Sequence, residues 1–458
     1  MRHSTGAVNR RKSVRWKISG FTALAIGGTI LVCAFLFLAV PNPLLDGLVQ
    51  RRLTEEIGGS LPEYSMRLSG FRIDVLKNRI ACDAVTLIRN DSSFSCRVDS
   101  LSVRGIHWLA LLRGSGIDSR SMGGSVIEAG NIDAELHPSG YSVRSGRVRV
   151  SVADSAMTLE HLEIYPAVND ERFFAASRFR ETRIDVRVLT CGISGVDCVE
   201  LLGGKNMHAR SVQLRGVAAD ILINKDKPPG NDLPGPRTPN EFLAALDDTV
   251  LCDSLEVTDG NLRYAERMAA GRNPATLTFG DLHVVVTGIA GRPGRYAESA
   301  VSGTGQLSGG GTMEMAMSIP LAGPPGSFRY SGSLSGMDLG RLNSFIEISD
   351  AMRIKSGTLE SAAFDIHVHE GSATGTVRAL YRNLVIASIN GRTGSEGGVL
   401  DRFSSWIAKN ISIRGTNSPG RSGALKVGTV KYTRKKTDPF LGFTWFALRS
   451  GVGDVVGF

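Results

Sequence analysis

The feature that most restricts this chain lies near its start: residues 18–40 form a run of 23 residues without a single charge. As a helix, at about 1.5 Å per residue, such a run reaches roughly 35 Å, enough to cross the hydrocarbon core of a bilayer with slight tilt. Trp16 and Lys17 stand before it, where an interfacial aromatic and a phosphate-facing cation belong, and Phe35 and Phe37 strengthen the anchor towards its other end. A cleaved signal peptide has a shorter apolar region followed by a small-x-small site; here Phe37 occupies the position where a small residue is needed before Ala39. The sequence therefore predicts one uncleaved transmembrane helix. Residues 1–17 carry Arg2, Arg10, Arg11, Lys12, Arg15 and Lys17 and no acidic residue, so this tail is expected in the cytoplasm, with everything after Val40 across the membrane.

That tail also explains the charge. The chain has a net charge of +9, and with those six residues set aside only +3 remains for the other 441. Along most of that remainder Arg alternates with Asp and Glu, as on a solvated sheet face. A nucleic-acid-binding surface concentrates base on one face beside stacking aromatics, so no nucleic-acid partner is expected. Residues 41–60 place Leu44, Leu45, Leu48, Val49, Leu53 and Ile57 at helical spacing, which predicts a juxtamembrane helix lying on the leaflet or plugging the base of a β domain.

From about residue 64 the apolar period falls from helical to two. Val148, Val150 and Val152 alternate with Arg147, Arg149 and Ser151; Ile184, Val186 and Val188 with Arg183, Asp185 and Arg187; Leu255 and Val257 with Ser254, Glu256 and Thr258; and Phe364, Ile366 and Val368 with Asp365, His367 and His369. One face of each strand is apolar and the other wet. With 54 glycines spread along the chain, these are many strands joined by turns. Three segments, 209–223, 252–264 and 352–368, share a plan read as strand, glycine turn and returning strand, and Asp259-Gly260 is the strongest hairpin signal among them. Residues 225–240 hold five prolines and read as a linker or loop between a first β region, 61–224, and a second, 241–425. Short helices are predicted over 241–248 and 399–409. Residues 426–458 combine a basic strand with the aromatic Phe440, Phe443, Trp445 and Phe446, either a helix that caps the β end or a contact for a membrane or an envelope partner.

The anchor at 18–40, the segment 254–266, the segment Ile354-Lys-Ser-Gly-Thr-Leu-Glu-Ser-Ala-Ala-Phe364 and the ending Val427-Gly-Thr-Val-Lys-Tyr-Thr-Arg434, followed by the aromatic stretch 443–448, resemble the AsmA-like envelope proteins, related to TamB and the chorein-type lipid carriers. The resemblance implies a mainly β fold: an elongated, curved antiparallel β-groove, taco-like in section, with short capping helices. It implies residence in the inner membrane of a diderm bacterium as a single-pass protein with most of the chain periplasmic. It also implies a function, binding or guiding lipids in the groove and so supporting outer-envelope assembly; the alternative is a non-catalytic scaffold tethering partners to that membrane. About twenty strands at roughly 4.8 Å each give a groove on the order of 100 Å long. Val148, Val150, Leu255, Val257, Leu262, Tyr264, Phe364, Ile366 and Val368 are the expected lipid-facing positions.

Chemistry beyond this is not signalled. There is no Walker loop and no Gly-x-Ser-x-Gly elbow, so an enzyme is not expected, nor a cofactor. His367 and His369 share a strand face but have no third ligand nearby, so no metal is expected. In an oxidising compartment Cys191 and Cys198 are candidates for a disulfide, as are Cys82 and Cys96, with other pairings allowed.

Overall fold

The computed structural model describes residues 63–74, 78–105, 123–137, 139–196, 206–230, 235–244, 249–291, 295–389, 413–419 and 425–457. The expected membrane span, the juxtamembrane helix, the 399–409 helix, Cys198 and the anchor residues Trp16, Lys17, Phe35 and Phe37 lie outside them. Among the described residues no helix is long and apolar enough to cross a membrane.

The protein is mainly β. Strands β1 (Tyr64–Ser69) and β2 (Arg72–Asp74) share one rank beside β3 (Arg79–Arg89), which pairs with β4 (Phe94–Arg104). β5 (Val126–Ala129) and β6 (Ile132–Leu136) form the next rank, and β7 (Tyr141–Ser145) and β8 (Arg147–Ser151) the one after. Then come β9 (Ala156–Pro166), β10 (Thr182–Ser194), β11 (Asn206–Asn224), β12 (Thr249–Arg267) and β13 (Ala275–Ala290). β14 (Glu298–Leu307), β15 (Thr312–Pro320), β16 (Phe328–Asp338), β17 (Met352–His369), β18 (Ser372–Ser388) and β19 (Val427–Thr433) complete one sheet in chain order. The nineteen strands fill sixteen ranks, which at about 4.8 Å apart extend roughly 70 Å rather than 100 Å.

Two expectations are corrected. The sheet is not antiparallel throughout: β11 and β12 run parallel from Asn206↔Thr249 to Asn224↔Arg267. Their connection holds the proline segment and the short helix α2 (Pro239–Ala244), and a connection of that length returns the chain to the same end of the sheet, where a tight turn would reverse it. The proline segment thus bridges two adjacent strands of a continuous sheet. The three repeated segments are not hairpins either, since each lies inside one long strand, β11, β12 or β17. A type I′ hairpin turn needs positive φ at both central residues. Asp259 has φ 55° while Gly260 is not left-handed, so the Asp-Gly pair makes a β-bulge.

That bulge belongs to a line of them. Left-handed residues stand at Gly70, Ser100, His161, Gly216, Asp259 and Asp281, and the ladders place them side by side. β5 passes into β6 at Gly130 and Asn131, and β7 into β8 at Gly146; the ladder then skips Leu189 opposite His161 and Gly216. At Gly216 a Cβ would lie 2.9 Å from that of Leu189, so glycine answers both the φ of 64° and the crowding. Each bulge bends its strand and shifts the alternation by one residue. Leu255 and Val257 before Asp259, and Leu262 and Tyr264 after it, therefore share a face despite opposite parity.

Four α-helices and a short 3-10 helix, Leu339–Leu342, complete the described residues. α1 (Asp170–Ala175) is capped by Asn169, whose side chain accepts from the Arg172 amide at 3.0 Å, and it seats Phe173 and Phe174 against Tyr141, Leu222 and Ala265. α3 (Asn343–Ser349) brings Phe345 to 6.2 Å from the Tyr264 ring. The expected C-terminal helix forms as α4 (Phe440–Val456) and lies across β18 and β19, with Phe443, Ala447 and Val455 fully buried. Its approach is close because Gly428 and Gly451 meet; a Cβ on Gly428 would lie 2.1 Å from the Gly451 carbonyl. Asp454 and Ser450 of α4 accept from the Thr429 and Lys431 amides at 2.8 and 3.2 Å, satisfying the outer edge of β19.

Candidate functional site: an apolar face and the cavity at its end

The registers assemble the apolar face row by row. Val150 stands opposite Met157, then come Ile193, Val212, Leu255, Val286, Val301, Met317, Tyr330 and Ile366. The row beside it runs from Val148 through Leu159, Cys191, Leu214, Val257, Val284, Gly303, Met315 and Gly332 to Phe364. Beyond the bulges, Leu262 joins Ala219 and Phe279, and Tyr264 joins Ile221, Ile184 and Leu277. All nine expected positions thus share one face of one sheet. The other face carries cross-strand ion pairs, Arg144 with Asp133 at 2.7 Å, Arg263 with Asp220 at 3.0 Å and Arg329 with Asp365 at 2.7 Å.

Burial divides those nine. Val148, Val150, Ile366 and Val368 are sealed, at 7%, 3%, 0% and 5% exposure. Ile366 and Val368 pack in a core with Phe328, Tyr330 and Phe443, and Phe364 is half-buried against it. In the middle of the sheet Leu255, Val257, Leu262 and Tyr264 are only half-buried, as are Leu159, Leu214 and Val284 in the same rows. Ile164 and Ile184 are openly exposed. From β9 to β13 much of the apolar face is an open trough, with Cys191 buried within it and α3 over its β12–β13 end.

The trough leads to a cavity of about 1020 Å³ between the ends of β10–β12 and helix α4. Ile223, Tyr264, Ile346, Ile354, Leu384, Ile386, Trp445 and Phe446 line it. Side chains from distant ranks meet there: Lys225, just past β11, holds its ammonium 5.8 Å from the centre of the Phe446 ring, and Arg434, just past β19, donates to the Pro236 carbonyl. At roughly 30 Å³ per water-sized group the cavity takes about thirty such groups, the upper end of ligand pockets.

Several of its polar groups are paired. Lys225 lies 2.6 Å from Glu266, which is 4% exposed and accepts from the Tyr264 hydroxyl at 2.7 Å. Burial pushes the Tyr264 phenol well above its ordinary range, and the Glu266 carboxylate pushes it further, so it stays a donor. Arg449 of α4 pairs with Asp350 at 2.6 Å. The Tyr432 hydroxyl donates to Asp438 at 2.9 Å; burial and that carboxylate raise its pKa to about 12.

Sequence reasoning misses Ile184, Ile221, Lys225, Glu266 and the lining face of α4 as site residues. The signal for the first two is the phase shift: Val212 and Leu214 are followed by Val217, Ala219 and Ile221, a parity change that marks a bulge in an otherwise regular strand.

Among the described residues the cysteines are free and buried. Cys82 and Cys96 are free, and the expected Cys82–Cys96 bridge is corrected by the register. Cys82 faces Leu101 and Cys96 faces Leu87, five strand positions or roughly 17 Å away, beyond disulfide reach. Cys191 is buried and free, and burial raises its thiol to about 11; its expected partner Cys198 lies outside the described residues. His367 and His369 are both exposed, and no group of three or more His, Cys, Asp or Glu placed to hold a metal occurs among the described residues. Compared with protein-family models and with curated proteins, the chain matches none.

Proposed function

We propose that this protein binds or guides lipids along the apolar face of its sheet, as a membrane-anchored envelope protein of the AsmA-like kind. The observation that carries the reading is the largely open trough from β9 to β13 ending in a cavity of about 1020 Å³. Exposed apolar surface of this extent on an otherwise polar sheet costs free energy in water, about 25 cal/mol for each Å² left wet. Acyl chains laid along it remove that cost while their headgroups stay in solvent. The line of bulges supports the taco-like groove the reading requires, because bends side by side in neighbouring strands crease a sheet along its length. The mechanism is passive, and it uses no nucleophile, metal or cofactor.

In this reading the uncharged run at 18–40 is the anchor, the trough lies beside the inner membrane and the bulk of the chain is periplasmic. The sealed ends favour the second reading, a scaffold whose core merely tethers partners such as an envelope protein at the C-terminal aromatic segment. Lipid mass spectrometry on the full-length protein, extracted in mild detergent, separates them. Near-stoichiometric phospholipid is the expected result. Its absence leaves only the tethered β-protein.

A further inference from the structure

One ladder row crosses most of the sheet and records where hydrocarbon can reach it. Val103, Ile127 and Val150 stand side by side on β4, β5 and β8, at 1%, 1% and 3% exposure. The row continues through Met157, Ile193, Val212, Leu255, Val286 and Val301, all half-buried. It closes again at Met317, Tyr330 and Ile366, at 8%, 3% and 0%. Beyond the line of bulges the first flank is just as tight, with Leu87, Val98 and Ala134 all below 5%.

A side chain sealed to this degree has close-packed protein around it, so an acyl chain finds no surface to follow there. A conduit that passes lipids from one end of a sheet to the other needs an apolar face open along its whole length. This row is open only from β9 to β14. The trough joins the cavity at Tyr264, which stands in a trough row beside Ile221 and also lines the cavity. The dimensions set the capacity. Four strand spacings of about 4.8 Å put roughly 19 Å between β9 and β13, close to one extended acyl chain. At roughly 30 Å³ per methylene-sized group the cavity takes about thirty of them, which is two chains of about sixteen carbons each.

Resting on the lipid-binding reading above, we infer that this protein is a receptacle for a single diacyl lipid and not an end-to-end conduit. The lipid enters from the side of the sheet at β9–β13 and its two chains lodge in the cavity. The sealed flanks, which by themselves suit a scaffold, limit the site to one guest. Strands β3–β8, the flank nearer in the chain to the uncharged run at 18–40, take no part in passing lipid.

The test uses the full-length protein in mild detergent, loaded with a phosphatidylcholine that carries a diazirine in one acyl chain. Illumination followed by peptide mapping locates the lipid, and native mass spectrometry counts it. Attachment is expected within β9–β14 and α4 and absent from β3–β8. Ile386→Asp places a charge in the cavity lining at a half-buried position. It is expected to hold one lipid fewer than the wild type, with attachment to α4 and to β9–β14 falling together by about tenfold. Attachment running through β3–β8 in the wild type overturns the receptacle while leaving lipid binding intact. So does undiminished attachment to β9–β14 in the variant, or a difference of two or more lipids. No attachment anywhere on residues 63–458 overturns both. Should the variant fail to fold, the wild-type map decides by itself.

Discussion

Val150, Leu255 and Ile366 stand in one ladder row, yet the first and last are buried to 3% and 0% exposure while Leu255 is half-open. Alternation of apolar and polar residues is the same in all three strands. What differs is whether anything lies over the face. At the β16–β19 end the cover is α4, with Phe443 set among Phe328 and Tyr432 at ring distances of 6.1 and 6.0 Å. Over β9–β13 the described residues supply only α3, which reaches the β12–β13 end where Phe345 meets the Tyr264 ring at 6.2 Å. Period-two patterning specifies a face, and a separate element must arrive to convert that face into core. The flanks behave as folded protein interior; the middle has the chemistry of an interior and the exposure of a surface.

The largest test of this contrast falls on the cover. Phe443→Ala empties a fully buried site at the centre of the C-terminal core. It is expected to cost about 3–5 kcal/mol of unfolding free energy, measured by urea denaturation. A loss below about 1 kcal/mol means α4 is not seated and the two regions are not distinct in kind.

A middle-sized effect is expected at the crease. Asp259→Val places a β-branched residue at φ 55°, which costs about 1–2 kcal/mol because the branched Cβ crowds the backbone there. The loss should show in the denaturation midpoint, with Asp259→Gly neutral or stabilising. If valine is tolerated without cost, the strand does not need the left-handed residue and Leu255 and Tyr264 have no fixed common face.

Much of this is legible in the residues. Arg183-Ile-Asp-Val-Arg-Val188 and Phe364-Asp-Ile-His-Val368 announce strands with one apolar side, and the aromatic ending announces a helix that packs. The bulges are harder to read, because an Asp-Gly pair serves a hairpin and a bulge alike and the choice between them rests on the φ of a single residue. The parallel β11–β12 pair is hidden too, since prolines in 225–240 say that no strand is there without saying where the chain goes next. The ion pairs in the cavity lining join residues far apart in sequence, Arg449 with Asp350 among them, and that one depends on how α4 docks. Local pattern contains none of that.

The smallest change in stability should come from the trough itself, and that is its diagnostic. Ile184 is 41% exposed and stands opposite Ile221 on the uncovered face. In a sealed core, replacing such a residue with asparagine strands a polar group and removes apolar contacts together. Here solvent already reaches the side chain, so Ile184→Asn is expected to change unfolding free energy by no more than about 0.5 kcal/mol, as exposed positions do. Phospholipid retained by the detergent-solubilised protein is expected to fall nonetheless, because the polar amide interrupts the apolar track between β9 and the cavity. A destabilisation of several kcal/mol, comparable to Phe443→Ala, means that something covers the trough in solution, and the distinction between the middle of the sheet and its flanks disappears. Unchanged stability with unchanged lipid leaves the trough open but unused at this point. Only the combination of an intact fold and a lost ligand separates a surface that waits for hydrocarbon from one that is merely bare.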